Sequence, residues 1–346
     1  MFYKPLRMYC TLPERFQYDG ALGVVKGVTM IGFSRVVLAL IALIVAASVA
    51  APAKASAGGI GPDASACSAN GWIDVRCYGA TGNGVADDTA AIQRALAAAL
   101  EKDQPLFLSP GTFRITRPLV IDYKIRADTG FRLMSMGAVI NGKSIATEPV
   151  LEIVCSGGNP HSPKGCFYFN EQGTLFVNAN TSGYAVVIGQ RDFSDAHNSI
   201  KIDHLIVNNA NASPRAGGLQ LNYVLNSHIF AVGDSAGGAA GIALEQTQIS
   251  HIAGAGSASG KGGAGLLIEN GYTFANTIDA MDLEVASICL VIASRNAAHN
   301  TFISPYMACP TAIDAVSGYT TKLVNPLFAG NVKKEFAASV GVTTSP

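Results

Sequence analysis

Gly218-Leu219-Gln220-Leu221-Asn222 returns as Gly241-Ile242-Ala243-Leu244-Glu245 and again as Gly265-Leu266-Leu267-Ile268-Glu269, at steps of 23 and 24 residues. Ser227-His228-Ile229 returns as Ser250-His251-Ile252, also 23 residues on, and residues 288–292 and 312–316 carry the spacing further. Each unit holds short apolar/polar alternations cut by Gly, Asn or Ser and leaves no room for a helix, which is the pattern of a parallel β-solenoid. A leucine-rich repeat has a similar period but requires a recurring L-x-x-L-x-L-x-x-N frame, which is absent. A propeller blade needs about 40 residues. In the aligned coils Leu219, Ile242 and Leu266 are expected to point inward, as are Leu221, Leu244 and Ile268.

A second column runs beside the first. Asn198-Ser199, Asn226-Ser227, Asn276-Thr277 and Asn300-Thr301 each stand just before an apolar strand. Asparagine tolerates left-handed backbone and bonds to neighbouring main chain, so stacked coils should align these side chains into a ladder. The Gly-rich run 254–265 (GAGSASGKGGAG) has no phosphate-loop spacing and is read as a loop between coils.

Upstream of the repeats, Ile73-Asp74-Val75 is read as a strand, 79–84 (GATGNG) as a turn, and Asp87-Asp88-Thr89 as the N-terminal cap of a helix over 90–100. Leu106 to Leu108 and Thr112 to Ile115 are strands around the turn Ser109-Pro110-Gly111. A helix at this place closes the open end of a solenoid and shields its first edge. The stretch IDVRCYGATGNGVADDTAAIQRAL followed by LFLSPGTFRI, residues 73–115, resembles the N-terminal signature of the pectate-lyase-like β-helix superfamily, which includes rhamnogalacturonase- and epimerase-like domains. The resemblance implies an all-β, right-handed parallel β-helix of about 23 residues per coil with an N-terminal capping α-helix. It also implies carbohydrate polymers as ligands, through hydrolysis, β-elimination, C5 epimerisation or plain binding. The polygalacturonase set N-T-D, D-D, G-H-G and R-I-K is absent; Asn276-Thr277-Ile278-Asp279 matches its first member only in part.

Composition agrees with an exported β protein. The chain has 346 residues, 37 of them glycine, only 14% charged, with no net charge, which gives no basic footprint for nucleic acid. Residues 36–53 are uncharged and apolar, follow Arg35 and lead into Ala55-Ser56-Ala57. That is the layout of a cleaved signal peptide, so 1–57 are read as extension and signal, with Gly58 the first mature residue. Residues 58–346 are then one β-helix domain, with a cap at 70–115, coils over 116–332 and a tail at 333–346. The expected location is secreted or periplasmic, with no membrane attachment after cleavage. Six cysteines follow residue 57, and proximity pairs them as Cys67–Cys77, Cys155–Cys166 and Cys289–Cys309.

Strand alternation sends Asn222, Glu245 and Glu269 to the outer side in one column, about 4.8 Å apart between coils. Two carboxylates so stacked can work as acid and base, or hold Ca²⁺, although no cofactor is required. Retaining glycosidases use carboxylates about 5–5.5 Å apart. Arg295, just past the next strand, can meet a uronate carboxylate in a bidentate fork. Glu245, Glu269 and Arg295 are therefore the candidate catalytic residues. Asp192, Asp195 and His197 form a further polar cluster, read as a hydrogen-bonding loop. His204, His228 and His251 supply too few aligned ligands for structural zinc. The sequence thus points to an exported protein acting on polysaccharide or oligosaccharide, a lyase or glycoside hydrolase, with a non-catalytic glycan-binding surface protein as the alternative; oligomeric state is left open.

Overall fold

The computed structural model describes residues 71–127, 129–156, 166–190, 192–315 and 321–329, and the backbone of 340–343. Cys67, and with it the expected Cys67–Cys77 pair, lies outside the described residues, as do the signal segment and most of the tail.

The strands stack in parallel into two large sheets and a small one. The repeat forms the second sheet, where Gly217–Asn222, Ala240–Glu245, Ala264–Ile268, Ile288–Ile292 and Thr311–Ala315 lie side by side. Leu219 pairs with Ile242, Leu266, Leu290 and Ile313 in turn, so the coil step is 23 or 24 residues from Leu219 onward, whereas the earlier coils, Leu119 to Leu151 to Val186 to Leu219, are longer than the expected 23. The six side chains expected to face inward are all fully buried. The glycines that open each repeat have a steric reason. A side chain on Gly218, Gly241 or Gly265 would run into main chain of a neighbouring coil or of the facing strands around Gly233, Ser257 and Gly256. The repeat is therefore Gly-apolar-x-apolar because two sheets meet back to back at that corner.

From the second sheet each coil turns through one left-handed residue (Tyr223, Gln246 or Asn270) into a two-residue strand or single bridge of the third sheet. A second left-handed residue (Asn226, Ile249, Ala275 or His299) then bends it into the first sheet. The expected ladder exists at the following position, but its members are Ser227, Ser250, Asn276 and Asn300. The N–H of Ile200 donates to Ser227 Oγ (2.9 Å), that of Ser227 to Ser250 Oγ (3.1 Å), that of Ser250 to Asn276 Oδ1 (3.0 Å), and that of Asn276 to Asn300 Oδ1 (3.2 Å). Asn226 stands one place earlier, at the left-handed corner itself (φ 48°). Two adjacent positions both suit asparagine, for different reasons, and the sequence pattern merges them.

Two other expectations shift. The run 254–265 is not all loop: 254–258 belong to His251–Ala258, a strand of the first sheet in register with His228–Ser235, 264–265 begin Ala264–Ile268, and only 259–263 turn. At the cap, the helix α1 runs Thr89–Lys102 and buries Ala91, Ile92, Ala95, Leu96, Ala99 and Leu100, a stripe at helical spacing, against the end of the coil. Asp88 does not cap it with its side chain. Its buried carboxylate instead accepts the N–H groups of Thr81 (2.7 Å) and Gly82 (3.1 Å), while Asp87 accepts the Thr89 N–H (3.0 Å). Arg76 donates to Thr81 O, Pro110 O and Ser109 Oγ and lies over the Phe113 ring. The signature of residues 73–115 is thus a set of locks that fix two turns and a helix on the first coil. Cys155–Cys166 and Cys289–Cys309 are bridged as expected; loops of this size contribute about 3 kcal/mol each.

Candidate functional site

The outer face of the second sheet carries a column in strict register, Val187, Gln220, Ala243, Leu267 and Val291. Tyr184, Ala240, Ala243 and Ala264 are buried on this outer side because the turns after the first-sheet strands lean over them. These turns rest on one another: Gly238 N–H donates to Ser213 O (3.0 Å) and Gly260 N–H to Gly237 O (3.0 Å). Between this wall and the segments at Thr147–Pro149 and Ser182–Gly183 runs an open groove of about 690 Å³. Tyr184, Gln220, Leu267 and Glu269 line it, with Arg215 on the wall. An apolar floor with a few convergent polar groups is the usual make-up of a ligand site.

The expected carboxylates stand on consecutive coils, since Leu244 pairs with Ile268 and the Glu269 N–H donates to Leu244 O (3.1 Å). Their surroundings differ. Glu269 is half-buried on the groove, whereas Glu245 is 2% exposed. Glu245 accepts from the side-chain amides of Gln220 and, at 3.3 Å, Asn270. Arg295 is exposed on the turn after Ile288–Ile292 and is not among the groove-lining residues. Among the described residues no group of three or more His, Cys, Asp or Glu is placed to hold a metal ion.

Asp195 and His197 are not loop surface. Both are fully buried, and His197 lies between Asp195 Oδ2 (Nε2, 3.0 Å) and the hydroxyl of Tyr123 (Nδ1, 2.7 Å). An ionised carboxylate only accepts, so Nε2–H donates to Asp195, and Nδ1 is left to bond the Tyr123 hydroxyl. Asp195 also accepts the N–H groups of Cys155 (3.0 Å) and Gln190 (2.8 Å). Burial opposes its ionisation, but the His197 bond and these N–H groups outweigh it and hold its pKa below the usual carboxylate range. Burial, with Asp195 and Asp122 nearby, pushes the Tyr123 phenol well up. All three side chains are fully buried, and their work is to tie three coils together. His228 and His251 stack at 5.6 Å on the outer face of the first sheet, with Asp279 3.7 Å from His251.

The sequence pattern missed Glu171. It occupies an inward column beside Leu133 and Ile202 and is 2% exposed. Its carboxylate accepts the N–H groups of Asp203 (3.1 Å) and His204 (3.3 Å), freed by a bulge, and the Ser135 hydroxyl (3.1 Å). Burial is the larger effect and pushes its pKa up to about 7. A raised carboxylate pKa weakens the fold as pH climbs from about 4.5 to 7, because only the unfolded chain ionises freely there. Glu171→Gln keeps the acceptor and removes the cost. It is expected to flatten the fall in stability between pH 5 and pH 8 by about 2–3 kcal/mol. Thermal melts of both proteins at the two pH values check this, and parallel curves would count against it.

Residues 72–130 match the family model described as rhamnogalacturonase A/epimerase, pectate lyase-like, which covers the cap locks and the first coil. The chain is a parallel β-helix whose cap region, and not the whole chain, matches that family model. Solved structures similar to it include a Geobacillus virus protein (13% identity, 75% of this chain and 53% of that one, TM-score 0.42). Another is a family 28 exopolygalacturonase of Yersinia enterocolitica (10% identity, 79% and 62%, TM-score 0.46). A third is the surface protein and adhesin PfbA of Streptococcus pneumoniae (12% identity, 78% and 88%, TM-score 0.38). The chain thus spans between half and two thirds of the first two. No curated protein sequence matches the chain.

Proposed function

We propose that this is an exported polysaccharide-active protein that takes an oligosaccharide into the groove over the second sheet and cleaves acidic polysaccharide as a lyase or glycoside hydrolase. In this reading Glu269 is the working acid or base, Glu245 its paired carboxylate, and Arg295 the cation that meets a uronate. The observation that carries it is Glu269 facing an open groove whose floor is apolar and whose wall holds Arg215. The two disulfides are consistent with export.

A second reading, glycan binding without catalysis, is favoured by the amides of Gln220 and Asn270 that already occupy Glu245. Incubating the secreted protein with acidic and neutral polysaccharides separates the two, with and without Ca²⁺. Absorbance near 235 nm reports β-elimination, and reducing ends without it report hydrolysis. Glu269→Gln is expected to slow either reaction by at least about 100-fold, the usual contribution of a general acid or base. An unchanged rate removes Glu269 from the chemistry, and binding with neither signal leaves the second reading.

A further inference from the structure

Three residues further along the same coils, the corner between the second and third sheets holds a second depression, of about 540 Å³. Four aromatic rings line it, from Phe193, Tyr223, Tyr272 and Phe274, together with Gln246, Gln248 and Asp192. The rings are brought there by the coil stack. Gln248 and Phe274 are bridge partners on adjacent coils, and Tyr223 and Gln246 occupy the left-handed corner position on successive ones. Phe193, from a different loop, meets Tyr223 edge-on at 6.4 Å and 89°. Tyr272 keeps 63% of its surface in solvent. A left-handed corner is most easily filled by Gly or Asn, so turn geometry gives no reason for Tyr223 or Gln246 there.

We propose that this corner is a separate sugar-ring site that takes an uncharged pyranose residue of a glycan chain. A pyranose presents an apolar C–H face and a rim of hydroxyls. The corner offers the complement: rings for the face, and two side-chain amides, each both donor and acceptor, for the rim. Asp192 is the charged group among the described lining residues. A carboxylate accepts from sugar hydroxyls but repels a uronate, which selects an uncharged ring. Tyr223 stands three residues beyond Gln220, and Tyr272 three beyond Glu269, at most about 10 Å of chain, so a glycan leaving the groove along a coil meets the corner next. The inference rests on the protein being a glycan binder and is independent of catalysis by Glu269.

The test is calorimetric titration of the secreted protein with cellohexaose, mannohexaose, maltohexaose and hexagalacturonate. At least one neutral hexaose binds, and Tyr272→Ala weakens it about tenfold, the scale of one lost aromatic contact. Tyr272→Phe, which keeps the ring, stays within threefold of wild type. Circular dichroism of Tyr272→Ala matches wild type, since the side chain is largely exposed. Binding of no neutral hexaose, or Tyr272→Ala binding like wild type, overturns the site, as does a change of oligomeric state in place of sugar affinity. Tyr272-dependent binding without turnover removes the catalytic reading and keeps this site. Turnover with Tyr272-independent binding does the reverse.

Discussion

Gly173→Ala is expected to cost the fold at least about 4 kcal/mol, measured as a shift in the urea midpoint at unchanged slope. Gly173 pairs with Ser135 in the strand Phe169–Ala179, at φ 102°, where the sheet bends. A Cβ there would stand inside the Ser135 carbonyl oxygen, and neither main chain can yield because each is hydrogen-bonded to its neighbours. Moving Ser135 would also disturb its hydroxyl bond to buried Glu171. Gly137 provides the control. It too is left-handed (φ 76°), but a Cβ there meets nothing within 4 Å. Gly137→Ala should therefore show only the backbone penalty, about 1 kcal/mol. Similar losses in the two variants would mean that backbone angle, and not the close approach of the coils, sets the requirement.

Asp195→Ala should be nearly as damaging, at about 3–5 kcal/mol. The substitution strands the N–H groups of Cys155 and Gln190 and the Nε2–H of His197 in a region without solvent. Each lost partner carries the desolvation cost of a buried donor, about 1–3 kcal/mol. Asp195→Asn keeps one acceptor oxygen and should lose roughly half as much. Because stability here comes from ionised Asp195, whose pKa is held low, wild type should lose it as pH falls through the acid range while the alanine variant does not. Urea titrations of the three proteins at pH 7 and pH 3 test both points; a cost under about 1 kcal/mol for the alanine variant would exclude the network as a structural tie.

Much of the solenoid is legible in residue order because its two signals are local. Inward Leu and Ile alternate within each strand, and the opening glycine recurs once per coil, so Leu219, Ile242 and Leu266 declare both spacing and facing. The cap is equally readable, although the sequence does not say which aspartate holds which amide. Asp87 and Asp88 are equivalent as letters and separate only when the turn at Thr81 folds back on them. The strand His251–Ala258 hid in a glycine run, because small residues there mean close approach between sheets and not a loose segment.

The site was less readable. Alternation places Glu245 outward with Glu269, but burial of Glu245 depends on Gln220, 25 residues before it, and on Asn270 across the corner. Tyr123 meets His197 over 74 residues, and nothing in either neighbourhood announces the other. Glu171 sits in an inward column, where alternation alone asks for an apolar side chain; the bulge that supplies its N–H partners is a feature of the next coil.

The Ser/Asn ladder gives the molecule a direction. Every rung is an N–H of one coil received by a side chain of the coil after it, from Ile200 through to Asn300. No coil along that run can satisfy its own corner; its successor supplies the acceptor. Removing a coil would therefore leave the corner N–H of the coil before it without its acceptor. The main-chain rungs run one way, like courses of brick in which each course is tied to the one laid above it.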